Sequence, residues 1–421
     1  MPRLRVLVSA FACDPQGRSG LGTGEDILGW NLIQQLGRYH ELWILASSKN
    51  RANIESVLKA RPQPYLHFCF FDLPRWLQKI AEKSKGGIQF YAYLWQVKAL
   101  FLGRRLQRQV HFDVFHQTTY ANDWMASYIG ASLPVTYIRG PGGGTHPVPR
   151  PFLKGYPLSK IVWEYIRIYG RKIFRWDPVF IIGQRRARAL LVCNQEARDA
   201  VPTIWRDKAR LFPVNGMTPR DLKHIDGLKK TARGRAFTIL SVGRLIPLKG
   251  FALAIQAFAL FAKKCPTAEL RIFGEGPERD SLEVLARSLR LNERVRFFPW
   301  VDRDQILSEM KSCDCFLFPS LYDGGGAVVV EAMAARMPVI TMKSGGPGFH
   351  IRNEWGILVE PHDPSQAVRD IASALESLWR NPSRRRALGR AARRRVEAFY
   401  AWDRLGDYLK KIYDSVDPAS G

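Results

Sequence analysis

Two carboxylates eight positions apart, Asp323 and Glu331, bracket the stretch of this sequence best suited to chemistry, and Gly324, Gly325 and Gly326 follow the first directly. The run Cys315–Pro319 before them is short, apolar and bounded by turn residues, as is a strand buried on both faces of a parallel sheet. Ala327–Arg336 after them reads as an apolar helix. Glycines let a backbone approach a ligand closely, and a helix start offers free N–H groups and the positive end of its dipole. The stretch therefore predicts an anion site with an acid on each side.

Other candidates lie in the first half of the chain. Asp113–Thr119 reads as a strand that ends near His116. Open α/β sheets bind ligands beyond the carboxyl ends of their strands, so a ligand contact suits His116, and a purely structural histidine is the other reading. Strand Arg5–Ala12, a glycine-rich turn, an amphipathic helix and strand Glu41–Ala46 form a unit of the dinucleotide-binding type. The turn glycines, Gly20, Gly22 and Gly24, miss the G-x-G-x-x-G spacing, and no acid ends the second strand to hold a ribose, which argues against a nicotinamide site. Gly22 and Gly24 can lie against a phosphate or sugar, or serve only as a flexible turn. A further glycine loop stands at Gly140 and Gly142–Gly144.

These residues must be positioned by two cores, because 421 residues exceed what one hydrophobic core usually serves. Composition, with 46% hydrophobic residues and 12 Trp, excludes a disordered chain. Strands alternate with helices throughout: Ala189–Asn194 in the first half, then Phe237–Val242, Glu269–Phe273, Val295–Phe298, Cys315–Pro319, Pro338–Met342 and Gly356–Val359. That alternation predicts two doubly wound parallel sheets, each of Rossmann type, facing across a cleft. The expected boundaries are 1–217 for the first domain, 218–235 for a charged linker, 236–395 for the second domain and 396–421 for a closing helix. Residues 50–110 mix aromatic with basic residues and read as helices lining the cleft.

Net charge is +26, and residues 150–235 hold 20 Lys and Arg against seven Asp and Glu, which implies a polyanionic partner. Within that region Lys160–Trp176 has helical period and two faces. Val162, Ile166, Tyr169, Ile173 and Trp176 share one stripe; Lys160, Arg167, Arg171 and Arg175 share the other. The plain expectation is a basic face turned to water while the apolar stripe packs inward; the sharper one is contact with anionic lipid head groups. No helix-turn-helix, zinc-finger or single-strand-binding signature supports a nucleic-acid partner. No run reaches the length of a membrane span, and the seven apolar residues Val6–Ala12 lead into a glycine loop as a first strand does, rather than as a signal peptide. The six cysteines make no metal-ligand spacing and read as reduced core thiols of a cytoplasmic protein. Asp302-Arg303-Asp304 spells a metal-binding pattern but directly precedes a helix, where an aspartate caps free N–H groups.

SVGRLIPLKG, IFGEGPERDSL, LFPSLYDGGGAVVVEAMAARMPVI and GILVEPHDP follow one another as they do in the retaining family 4 glycosyltransferases, which the chain resembles densely over 236–410 and more loosely over 1–217. The resemblance implies the GT-B fold, with a last helix that returns to the first domain, and a nucleoside-diphosphate sugar as donor, with no metal or other cofactor. By the same resemblance, Arg244 and Lys249 hold the diphosphate, whose charge grows as the glycosidic bond breaks. Gly274 and Phe298 border the base, Glu331 accepts the ribose hydroxyls and Asp323 faces the transferred sugar. The N–H groups of Gly325 and Gly326 meet the distal phosphate, while Gly324 shares their loop. His116 approaches the sugar from the first domain. Three departures stand out: Asp323 replaces a glutamate, Gly325 replaces a larger residue, and Pro299 stands where a glycine is usual.

The expected activity is sugar transfer to a hydroxyl of a glycan or lipid-linked acceptor in cell-surface polysaccharide or glycolipid synthesis, by a protein peripheral to the inner face of an anionic membrane. A catalytically weak nucleotide-sugar sensor or scaffold, and a sugar-nucleotide 2-epimerase, are the alternatives. The sequence does not assign an oligomeric state.

Overall fold

The computed structural model describes residues 3–83, 86–143, 147–154, 158–230, 236–291 and 293–416. The chain divides into two compact units: one of Met1–Thr145, Trp163–Val214 and Trp402–Gly421, the other of His146–Val162 and Asn215–Ala401.

The first unit is built on a parallel sheet of β1 (Arg5–Ser9), β2 (Glu41–Ala46), β3 (Leu66–Phe70), β4 (Val114–Gln117), β5 (Thr136–Gly142), β6 (Ala187–Val192) and β7 (Ala209–Leu211). Their order is β3-β2-β1-β4-β5-β6-β7, so β1 and β4 adjoin at the point where the order reverses. Val6, Leu7 and Val8 of β1 are fully buried, as a central strand covered on both faces requires. Two of the strands, β3 and β7, were not expected from the sequence.

In the second unit β8 (Thr238–Val242), β9 (Glu269–Phe273), β10 (Val295–Phe298), β11 (Cys315–Phe318), β12 (Val339–Met342) and β13 (Ile357–Val359) run parallel in the order β10-β9-β8-β11-β12-β13. The reversal here lies between β8 and β11. Ligands of open α/β sheets bind beyond the carboxyl ends of strands at such reversals. The loops after β8 and β11, with Arg244, Lys249 and Asp323, occupy that position in the second unit.

The segment expected as a linker is instead structured from its start. Thr218 and Asp221 form a capping box that opens the helix Pro219–Gly227, and Ile225 is fully buried in the second unit's core. Residues 231–235 of the expected linker lie outside the described residues. The last helix, Trp402–Val416, buries Trp402, Leu405, Leu409 and Ile412 in the first unit's core. At Gly406 a Cβ would stand 2.3 Å from Gln35 Oε1, so this helix approaches Thr23–Leu36 more closely than a side chain allows.

Candidate active site

Asp323 gathers three partners around one carboxylate in the second unit. Its Oδ2 forms an ion pair with Lys249 Nζ, and its Oδ1 accepts hydrogen bonds from the N–H of Gly325 at 3.1 Å and of Gly326 at 2.8 Å. An aspartate is short enough to turn back onto the amides two and three residues ahead, whereas a glutamate, one methylene longer, is not matched to that turn. The two N–H groups expected to meet a phosphate are thus taken by the carboxylate of their own loop. Gly326 begins the helix Ala327–Ala334 at φ +65°, and a Cβ there would lie 2.9 Å from Pro347, so both backbone angle and space require glycine.

Behind this loop stands a clamp that sequence reasoning missed. The carbonyl of Gly325 accepts from Asn215 Nδ2 at 2.5 Å and from His350 Nε2 at 2.5 Å. Because Nε2 donates, Nδ1 of His350 is the acceptor, and it receives the Tyr400 hydroxyl at 2.9 Å. His350 is 1% exposed, and burial lowers its pKa to about 4, so the ring is neutral. No local motif marks these partners; Asn215, the helix end at His350 and the helical turn at Tyr400 are far apart in the sequence.

Glu331, on the second turn of the Ala327–Ala334 helix, pairs with Arg303 Nε at 2.6 Å, and Arg303 reaches Asp221 at 3.1 Å. Burial opposes the charge of Arg303, but the two carboxylates outweigh it and hold the guanidinium above its ordinary range. Asp302 accepts from Gln305 N at 2.8 Å and caps its helix as expected, while the arginine beside it orients Glu331.

Arg244 is exposed on the loop after β8. Gly274 packs against the backbone of Gly243, where a Cβ would come within 1.9 Å of the carbonyl oxygen, so this glycine joins two loops. Leu245 N donates to Glu275 O at 2.8 Å and continues that join. Phe298, half-buried, stacks on Phe273 with centroids 4.4 Å apart and carries Arg271 on its ring.

The candidates of the first unit are not gathered in this way. Gly22 and Gly24 are exposed at the start of helix Thr23–Leu36. His116, expected to reach the transferred sugar, is fully buried: Nε2 donates to Gly140 O at 2.7 Å and Nδ1 accepts the Tyr413 hydroxyl at 2.8 Å. Burial lowers its pKa to about 4. Both ring nitrogens are engaged within the unit, so the expectation of a sugar contact is corrected to a structural histidine. It failed because β4 is a central strand and Tyr413, almost three hundred residues on, covers its end. Beside these, Glu25 accepts from Tyr120 N, and burial raises its pKa to about 7; Asp26, bonded to Ser19, is raised by burial to about 6.

Residues 228–395 match the family described as glycosyl transferases group 1. An uncharacterized glycosyltransferase of Methanocaldococcus jannaschii, MJ1607, is 33% identical over 333 residues, which span 75% of this chain and 80% of that protein. The chain belongs to the group 1 glycosyltransferases. It spans between 40% and 54% of the length of the first curated relatives it matches. Among solved structures, sucrose-phosphate synthase from Thermosynechococcus elongatus aligns with a TM-score of 0.64 at 18% identity, over 99% of this chain and 100% of that one. HepE of Anabaena, in complex with UDP, aligns with a TM-score of 0.61 at 15% identity, over 98% and 100%. The two parallel-sheet units of this glycosyltransferase thus have the GT-B fold of its structural neighbours.

Proposed function

We propose that this glycosyltransferase retains anomeric configuration, needs no metal, and moves a sugar from a nucleoside diphosphate to a hydroxyl of a glycan or lipid-linked acceptor. The observation that carries the reading is the set of groups around Asp323: a lysine, two loop N–H groups and a helix start converge on one carboxylate. A diphosphate makes the same demands on its partners and carries more charge. On donor binding, its phosphates displace the Asp323 carboxylate from Lys249 and from the loop amides, and the freed carboxylate turns to the sugar hydroxyls. Arg244, exposed on the same loop as Lys249, adds the second cation. Together they stabilise the leaving diphosphate, which is where charge develops in the transition state. Glu331, oriented by Arg303, accepts the ribose hydroxyls. The UDP held by a structural relative supports this class of donor.

Lys249→Ala is expected to lower transfer by at least about a hundredfold, the scale of removing one charge-stabilising donor, with the fold unchanged by circular dichroism. Arg244→Ala is expected to do the same. Product anomer analysis by NMR checks retention, and near-normal turnover by both variants, or an inverted product, sinks the proposal. The self-satisfied state of Asp323 also favours a second reading, a member that binds nucleotide-sugar without transferring it. In that case UDP-, GDP- or ADP-sugars raise the Tm while no transfer is seen, and Asp323→Glu restores it.

A further inference from the structure

The amphipathic helix Leu158–Ile173, whose residues from Trp163 on belong to the first unit, leaves exposed the stripe expected to pack inward; the side chains of Lys160, Arg167 and Arg171 on its other stripe lie outside the described residues. In helix Leu158–Ile173 the acidic Glu164 is 7% exposed and Ile168 5%, while Tyr165, Ile166, Tyr169 and Ile173 are 39%, 55%, 52% and 70% exposed. The stripe expected to pack inward faces water. The turn that follows continues it with Phe174 at 45% and Trp176 at 81%. This ridge is held from behind: Phe174 packs on Trp124 and Tyr93, and Arg175 pairs with Asp123.

The next helix, Pro178–Arg186, buries Phe180 and Gln184 and turns Ile181, Ile182, Arg185 and Arg186 outward. Residues four apart share a helix face, so one face passes from two isoleucines to two arginines. Those arginines, with Arg188, Lys208 and Arg210, line an open pocket of about 800 Å³ whose acids are Asp113 and Asp207. Lys208 donates to the Arg185 carbonyl at 2.8 Å and Arg186 to the Leu133 carbonyl, both neutral partners. The pocket lies at the amino ends of β4 to β7, opposite the end where an α/β sheet takes its substrates.

We infer that this ridge and pocket are a docking face for an anionic phospholipid bilayer, in which the aromatic and aliphatic side chains enter the interface and the pocket cations hold lipid phosphates. Exposed aromatic and branched residues flanked by arginine are what an interfacial segment needs. Charge selects among the occupants: a second copy of a chain of net charge +26 brings like charge to the face, whereas an acidic leaflet neutralises it. Nucleic acid would be served by the cations but gains nothing from Ile173, Ile181 and Ile182. The inference rests on the reading of a membrane-borne acceptor only for its purpose; lipid binding itself is measured without any transfer.

The full-length protein is floated with vesicles of phosphatidylcholine alone and of phosphatidylcholine mixed with phosphatidylglycerol. Binding is expected only to the mixed vesicles. Arg185→Glu with Arg188→Glu is expected to weaken it on the order of a hundredfold or more, at about 1 kcal/mol for each charge near the surface. Ile173→Ser with Trp176→Ser is expected to weaken it on the order of tenfold or more. Lys249→Ala, expected to lower transfer, should float like the unaltered protein, so failure of docking and failure of the donor assignment are separable. Equal binding to both vesicle types, no binding to either, or flotation unchanged in both double variants overturns the inference. So does a dimer that Ile173→Ser with Trp176→Ser dissolves, or tighter binding to an oligonucleotide than to the mixed vesicles.

Discussion

The two units carry the same device at different places. In each, a buried neutral histidine accepts a tyrosine hydroxyl at Nδ1 and donates from Nε2 to a glycine carbonyl: His116 with Tyr413 and Gly140 in the first, His350 with Tyr400 and Gly325 in the second. In the first unit the clamped carbonyl lies within β5, next to a strand neighbour, and the clamp fixes a sheet. In the second it lies between Asp323 and the helix that the loop starts, so the clamp fixes the groups proposed to take the donor. Identical chemistry steadies a sheet in one unit and the proposed donor loop in the other, and what differs is the segment it holds.

The strongest way to break this comparison is to remove each ring. His350→Ala and His116→Ala should each cost about 2–4 kcal/mol in urea unfolding, since each opens a cavity and leaves a buried tyrosine hydroxyl without its partner, and His116→Ala also strips the Gly140 carbonyl of its side-chain donor while Asn215 still serves Gly325. Only His350→Ala should also raise the donor KM and lower kcat, by about tenfold or more. Equal kinetic losses in both would erase the difference between the clamps. A smaller effect separates the rings from their surroundings by pH. Both histidines titrate near 4 when folded and near 6.5 when unfolded, so below 6.5 the unfolded chain binds more protons. Their stabilisation is complete above pH 6.5 and is lost as pH falls toward 4, by about 3 kcal/mol each. Glu25 and Asp26, raised to about 7 and about 6, act in the opposite sense and flatten the overall profile. The gap between the unaltered protein and His116→Gln cancels those acids, and it should shrink over that window. Smallest of all, Tyr400→Phe and Tyr413→Phe should each cost about 1 kcal/mol, with a change in donor binding expected for Tyr400→Phe alone.

Much of the fold was legible because buried parallel strands are short apolar runs between turn residues, and β11, β12 and β13 have that form, while β9 and β10 carry a charged residue among apolar ones. β3 and β7 were not: Leu66–Phe70 sits among aromatic and basic residues without alternation, and Ala209–Leu211 is too short to show a period. The loop at Asp323 could be read from its glycines and the helix after it. Asn215, His350, Tyr400 and Arg303 could not, since their roles depend on contacts across 25 to 110 residues. His116 was placed on the right strand and given the wrong surroundings, because a sequence shows where a strand ends but not what covers it. The helix Leu158–Ile173 teaches the same limit differently. Its period defined two faces, but periodicity does not say which face is packed, and here a buried Glu164 and Ile168 took the inner side.

Tyr400 and Tyr413 each follow in sequence the histidine and the glycine that they brace. A ribosome therefore completes both sheets before either histidine receives its hydroxyl. Until then each glycine carbonyl has its donor but that donor has no brace, and the loop at Asp323 is assembled without being locked. Order of synthesis thus supplies each brace after the loop it steadies, so that a nascent chain halted before Tyr400 holds the loop at Asp323 in register only loosely.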